Sequence, residues 1–348
     1  MLRKCFISLV VLVCMSQRLE PQSGHRDATR DIENAVIWRD PGNVATLDFF
    51  GGPGGRDRAP QPPFVFREEG KYGTNPKIVV TDARSAIWEV KWGSEVKAEP
   101  FATRLLWAVG YTVEPAYYVP EGHIEGAGHL DRAQPRHDRR TSVIDRSKEN
   151  AFSRARFELR DPRVTFLPNL SWAWDSNPFV DSHEFAGLKI MALLVSSWDT
   201  KDANSSTPNT AVIKIKTDDG TEESHFIVND WGGSMGRWGS ATTHTTWDCQ
   251  GYREQTKDFV KGLDKNGMIR FGYFGKNSSL SQNISPDHVG WLLNYLGRIT
   301  DDQLRDGLRA SNADSAEVEC FTTSIRSRIE QLRAVGGRLV LHKSQNNP

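Results

Sequence analysis

The chain has 348 residues, 38% of them hydrophobic, with 44 Lys and Arg balancing 44 Asp and Glu. A chain of this size can bury a sizeable core and has room for two lobes. Its zero net charge argues neither for nor against a polyanionic partner, and no nucleic-acid partner is indicated.

The N-terminus reads Met1-Leu2-Arg3-Lys4, followed by an apolar run from Cys5 to Met15. A basic start and about 11 apolar residues have the form of a secretory signal peptide, and the run is too short to span a bilayer comfortably. Residues 1–16 are expected to be a signal segment that exports the protein to a periplasmic or extracellular location. No small-residue cleavage site follows, and Cys14, preceded by the bulky Val13, is a candidate lipid anchor. No transmembrane helix is expected beyond this segment. In an exported protein Cys249 and Cys320 could form one disulfide, although their separation says nothing about contact.

Gln17 to Gly42 is polar and unpatterned, and residues 17–59 read as a tether and linker. Gly51 to Gly55 invites a phosphate-loop reading, but charges and prolines follow with no helix to offer its N-terminus. A β-meander pattern comes next, with strands predicted at Pro63–Arg67, Lys77–Thr81 and Ala86–Trp92. A helix is then predicted from Glu99 to Val109, with Pro100 in its first turn and Phe101, Leu105, Leu106 and Val109 on one face.

Three strands and a helix in this order suit a small nucleotide-binding lobe, residues 60–125. The turn from Gly70 to Lys77 would lie over phosphates, with Gly73 and Thr74 allowing close backbone approach and Lys77 at its end. Lys91, on the third strand, would reach the same phosphates. Glu99 at the helix start could hold Lys91 in place, with Glu95 as the alternative. Residues 105–126 would pass through a hinge beside an adenine. The stretch from Asp131 to Arg163, richer in basic than acidic residues, reads as a solvated loop or a basic rim for an anionic substrate. Trp172 and Trp174 are expected to pack against the helix that follows.

That helix, His183 to Leu194, leads into Ser197-Trp198-Asp199-Thr200-Lys201-Asp202-Ala203-Asn204. Strands at Ala211–Lys216 and Ser224–Asn229 then deliver Asp230-Trp231-Gly232. Alone, the loop is ordinary turn chemistry. Followed by a strand pair and D-x-G, it supplies what phosphoryl transfer needs. Those needs are a carboxylate at the nucleophile (Asp199), a cation at the moving phosphate (Lys201) and oxygen ligands for Mg²⁺ (Asn204, Asp230). Helices at Ser285–Arg298, Asp301–Ser311 and Ser315–Val335 complete a mainly helical large lobe, residues 126–338, and residues 339–348 form a tail.

The motifs G-T-N-P-K, V-K-x-G, R-L-x-W-A-x-G-Y, W-D-x-K-D-x-N and D-x-G stand at Gly73–Lys77, Val90–Gly93, Arg104–Tyr111, Trp198–Asn204 and Asp230–Gly232. In order and spacing the chain resembles the atypical branches of the protein-kinase-like fold, such as HipA-type, secretory-pathway and spore-coat kinases. It is also similar to exported bacterial proteins of unassigned function. The resemblance spans roughly Phe49 to Gly336 and implies an α+β fold of two lobes. It also implies ATP and Mg²⁺ as cofactors, and the family roles of Lys91, Glu99, Asp199, Lys201, Asn204 and Asp230. H-R-D, G-x-G-x-x-G and A-P-E are missing, and the acceptor stays unknown. A non-catalytic nucleotide- or partner-binding module and a nucleotidyl transferase are the alternatives on the same fold.

Overall fold

The computed structural model describes residues 29, 32–71, 73, 75–133, 143–240 and 242–336. The signal segment 1–16 with Cys14, the loop residue Thr74 and the tail 339–348 lie outside the described residues. Among those described, no helix is long and apolar enough to cross a membrane.

The architecture is mixed α+β, with a β-rich region followed by a mainly helical one. After a short strand β1 (Ala35–Val36), β2 (Phe64–Glu69), β3 (Lys77–Thr81) and β4 (Ile87–Lys91) form an antiparallel meander that feeds α1 (Ala98–Ala108). β5 (Ala116–Glu125), β6 (Ile144–Asp145) and β7 (Ala151–Leu159) follow. β7 pairs antiparallel with β5 on one side and β4 on the other, so the order β4-β3-β2-β5-β7 closes into a five-strand barrel. Closure removes the exposed edges an open meander would leave.

Strand alternation sets what each barrel face presents. Phe64, Ile78, Val80, Trp88, Val90 and Phe157 fill the interior. Their neighbours Glu89, Lys91, Arg156 and Glu158 alternate to the other face, with Lys91 opposite Arg156 and Glu89 opposite Glu158. The stretch read as a solvated basic loop is therefore, over Ala151–Leu159, a barrel stave. The stretch read as a hinge contains β5, and the chain stays in the barrel past residue 125.

The remaining elements are β8 (Val164–Phe166), α2 (His183–Leu194), β9 (Thr210–Lys216), β10 (Glu222–Val228), α3 (Cys249–Thr256), β11 (Val260–Leu263), β12 (Ile269–Phe271), α4 (Pro286–Leu296), α5 (Asp301–Ala310) and α6 (Ser315–Gly336). β8, β9 and β10 extend from β1 in a four-stranded sheet ordered β1-β10-β9-β8. Ser182 caps α2 by accepting from the Phe185 N–H, and the helix is buried from Phe185 to Leu194. A helix apolar all round belongs inside a core. Trp172, Trp174 and Phe185 pack edge-on or tilted at its start. Ser285 and Thr300 cap α4 and α5 through reciprocal capping boxes.

Residues placed in the linker are part of this core. Val44 and Phe49 are buried in it, and Gln303 of α5 donates to the carbonyls of Val44 and Leu47 at 2.8 and 3.0 Å. The buried Arg104 of α1 donates to Phe49 O at 2.8 Å. Cys249 at the start of α3 is disulfide-bonded to Cys320 of α6, which settles the pairing left open by the sequence.

Candidate active site

Lys91 ends β4, with its side chain on the barrel's outer face. Its Nζ lies 2.7 Å from Glu95 Oε2 and 3.5 Å from Asp230 Oδ2. Burial and the nearby Arg156 pull the Lys91 pKa down, but Glu99, Asp230 and Glu95 together outweigh them and hold it above the usual lysine range. Burial pushes Asp230 up, while Lys91 and Arg156 bring it below its ordinary value. Both charges are kept.

Asp230 follows β10, and its Oδ1 accepts the Gly232 N–H at 2.9 Å. The side chain of Glu95 lies against Gly232 so closely that a Cβ there would sit 2.7 Å from it. Glycine in D-x-G is thus required by the approach of Glu95. Asn75 donates to Glu95 Oε2 at 2.9 Å, which ties the preceding loop to the same point. In that loop Gly73 has φ +89° with open space around it, and Arg132 donates to the carbonyls of Gly70 and Gly73.

Glu99 is not the ion-pair partner of Lys91. It is buried and pairs with Arg156 of β7, which also reaches Glu158 at 3.1 Å. The reason is positional: Glu95 lies one helical turn before Glu99 and takes the lysine, while the stave β7 brings a guanidinium to Glu99. Burial, opposed by Arg156, pushes the Glu99 carboxyl up to about 8. Burial also raises Glu158 and Glu114. Lys77 closes the row by pairing with Glu89 at 3.2 Å.

The second half of the site begins where α2 stops. Ser196 takes φ +55° and turns the chain toward Asp199. The buried Arg328 of α6 holds this turn by donating to Ser196 Oγ at 2.7 Å and Leu194 O at 2.9 Å. Asp199 meets two lysines, with Lys201 Nζ 3.3 Å from Oδ2 and Lys276 Nζ 2.8 Å from Oδ1. Asn209 donates to Asp199 O at 2.7 Å and to Oδ2 at 3.3 Å.

Asn204 lies elsewhere. Its N–H and Nδ2 donate to Asp202 Oδ1 at 3.1 and 3.2 Å, and Asp202 Oδ2 accepts from Trp174 N and Asn277 Nδ2. Asn204 therefore belongs to a turn wound on buried Asp202 and lines a separate depression of about 580 Å³.

A cleft of about 900 Å³ joins the halves. Lys77, Lys91, Arg156, Glu158, Asn209 and Asp230 line it, together with apolar Val164, Ile213 and Ile215 of β8 and β9. Gly73, Glu99, Asp199, Lys201 and Asn204 are not on its walls, and Asp199 connects to it through Asn209. The structure thus brings Lys91, Lys77 and Asp230 to one cavity, with Asp199 and Lys201 behind Asn209. Sequence reasoning missed Asn209, Lys276, Arg156, Glu158 and Glu114. Only Asn209 carried a signal, since it directly precedes β9.

No family model matches the chain, and no curated protein matches it. Among solved structures the chain is similar to one described as the crystal structure of the golgi casein kinase. The identity is 11% and the TM-score 0.33, over 84% of this chain and 77% of that one. A likeness this distant carries no argument about the site.

Proposed function

We propose that this protein is an exported, ATP- and Mg²⁺-dependent phosphotransferase of atypical kinase type. In this reading the barrel is the small lobe and the helical region the large one. One observation carries it: Lys91 and Asp230, 139 residues apart in sequence, form an ion pair on the wall of a 900 Å³ cleft. The Cys249–Cys320 disulfide supports an oxidising, exported setting.

Each residue then has a task. Lys91 meets the phosphates of ATP, with Lys77 beside it on the cleft wall. Asp230 and the side-chain oxygen of Asn209, rather than Asn204, would hold the metal. One carboxylate and one amide oxygen are hard donors that suit Mg²⁺, an ion that takes its other ligands from water and substrate phosphates. Among the described residues no cluster of three or more His, Cys, Asp or Glu forms a metal site by itself, and this mode of binding needs none. When bound, the ion supplies neutralising charge to the phosphates. Asp199 accepts the proton of the acceptor hydroxyl, and Lys201 stands beside the transferring group. The acceptor oxygen bonds to the γ-phosphorus as the bond to the bridging oxygen breaks, and ADP leaves with that electron pair.

The test is ATP turnover and ATP binding measured on the same variants. Asp199→Ala is expected to keep binding and lose turnover, and Asp230→Ala to lose both. Turnover unchanged in Asp199→Ala removes the proposed base. A non-catalytic binding module is favoured by a different observation. The barrel wall of the cleft is a row of paired charges, Lys77, Glu89, Arg156 and Glu158, where a heterocycle would prefer an apolar slot. Weak or absent nucleotide binding and no turnover, in wild type and Asp199→Ala alike, would select a module that binds a charged partner other than a nucleotide.

A further inference from the structure

The loop after β12 is built into the centre around Asp199, although no motif contains it. Tyr273 OH donates to Ser197 O at 2.8 Å, the Lys276 N–H to Trp198 O at 3.2 Å, and Asn277 Nδ2 to Asp202 Oδ2 at 2.7 Å. Three hydrogen bonds therefore fasten residues 273–277 along the length of the catalytic loop. Their result is to present Lys276 with its Nζ 2.8 Å from Asp199 Oδ1 and 5.2 Å from the centre of the Trp198 ring.

Asp199 now has both oxygens covered, Oδ1 by Lys276 and Oδ2 by Lys201 and Asn209. An acceptor hydroxyl must displace one of them to reach the carboxylate. Lys201 is the more confined, its side chain 24% exposed against 45% for Lys276. The half-exposed Lys276 ammonium recovers hydration when it leaves the 21%-exposed Asp199 carboxylate, so its release costs less than that of Lys201. Lys276 is the group that gives way, and its backbone stitches keep the released ammonium close to Asp199. In-line transfer puts the acceptor oxygen between that carboxylate and the γ-phosphorus, whose charge spreads over three oxygens. A cation one hydroxyl away from Asp199 faces those oxygens.

We propose that Lys276 is a further catalytic residue, a second cation that yields Asp199 Oδ1 to the acceptor hydroxyl and then stabilises the transferring phosphoryl group. The inference rests on the phosphotransferase reading above. No bond changes are added to that step: the acceptor proton still goes to Asp199, and Lys276 stays protonated throughout.

The experiment uses ATP with water as acceptor and follows release of inorganic phosphate by the full chain. Lys276→Ala is expected to lower kcat by about tenfold or more with KM for ATP within about twofold, the pattern of a group that acts only in the transition state. Lys276→Arg, which keeps the charge, should recover part of the loss, and the thermal midpoint should not move. The loss should persist from neutral to alkaline pH. A lysine that merely held Asp199 in its charged form would shift the acidic limb of the profile and leave the plateau intact, which would overturn the proposal. So would an unchanged kcat. Should Lys276→Ala lower the thermal midpoint, Lys276→Gln repeats the test with the side chain's length kept. A wild type that neither binds ATP nor releases phosphate removes the phosphotransferase reading itself, whereas turnover insensitive to Lys276 removes this inference alone.

Discussion

Asn209 donates from Nδ2 to the backbone oxygen of Asp199 at 2.7 Å and to its carboxylate at 3.3 Å. A second backbone link, from Asn209 N–H to Lys201 O at 2.9 Å, closes the loop around the aspartate. The sequence motif counted five residues from Asp199 and arrived at Asn204. The chain spends those residues winding a turn on Asp202 and reaches the site only when β9 begins. Asn209→Ala is expected to weaken Mg²⁺-dependent ATP binding by about tenfold or more, the scale for losing a metal ligand or its support. Asn204→Ala should leave it unchanged. Calorimetric titration with and without Mg²⁺ decides, and the reverse pattern would restore Asn204.

Glu95 and Glu99 separate into different jobs. Glu95→Gln should weaken ATP binding in the wild-type background and add little in Lys91→Met, a coupling of about 0.5–3 kcal/mol for residues in contact. Additive losses would detach Glu95 from the lysine. Arg156→Met instead strands the buried carboxylates Glu99 and Glu158. It is expected to cost about 3–5 kcal/mol of stability, the usual result of removing one partner of a buried pair. Denaturant melts of the ligand-free protein at a pH above the raised Glu99 value of about 8 measure this, and a midpoint unmoved by Arg156→Met would mean the guanidinium does not hold these carboxylates.

His225 gives a pH signature independent of any ligand. Its side chain is 5% exposed, its Nδ1 lies 2.7 Å from Thr112 Oγ1, and Glu223 and Arg39 are its charged neighbours. Burial lowers its pKa against the raising effect of Glu223, with Arg39 lowering it further. The unfolded chain therefore binds the proton more readily than the folded one, so this contribution to stability falls as pH drops below about 6.5. Between about pH 7.5 and about pH 5.5 the wild type should lose more thermal midpoint, or gain less, than His225→Gln, because the raised carboxyls Glu99, Glu158 and Glu114 act in the opposite sense in both proteins. An unchanged slope in that variant would assign the effect to other groups.

The elements legible in the sequence were those whose signals are local. Ser285-Pro286 marks a helix start by the chemistry of its own side chains, and the helix expected at His183–Leu194 coincides with α2. The β-branched run Ile78-Val79-Val80 marks β3. What stayed hidden depends on distant partners. In β7 the inward Ala155, Phe157 and Leu159 alternate with Arg156 and Glu158, and the phase slips at Arg154, which has φ +54°. Charges on the outward face made the stave look like a solvated loop, because nothing nearby in sequence shows that Glu99 and Glu89 will neutralise them. Lys91 and Asp230 were legible because short motifs surround both. Lys276 was not, because its role comes from contacts with residues nearly eighty positions earlier, in a loop that looks like any other.

The central claim is that the Lys91–Asp230 cleft takes a metal–nucleotide, and a thermal-shift titration of the protein with ATP and Mg²⁺ tests it most directly. A ligand held at 100 times its dissociation constant stabilises by about 2.7 kcal/mol. The account predicts a concentration-dependent rise of that order in wild type, dependent on Mg²⁺ and lost in Asp230→Ala. No rise in wild type, or an equal rise in wild type and Asp230→Ala, would contradict it.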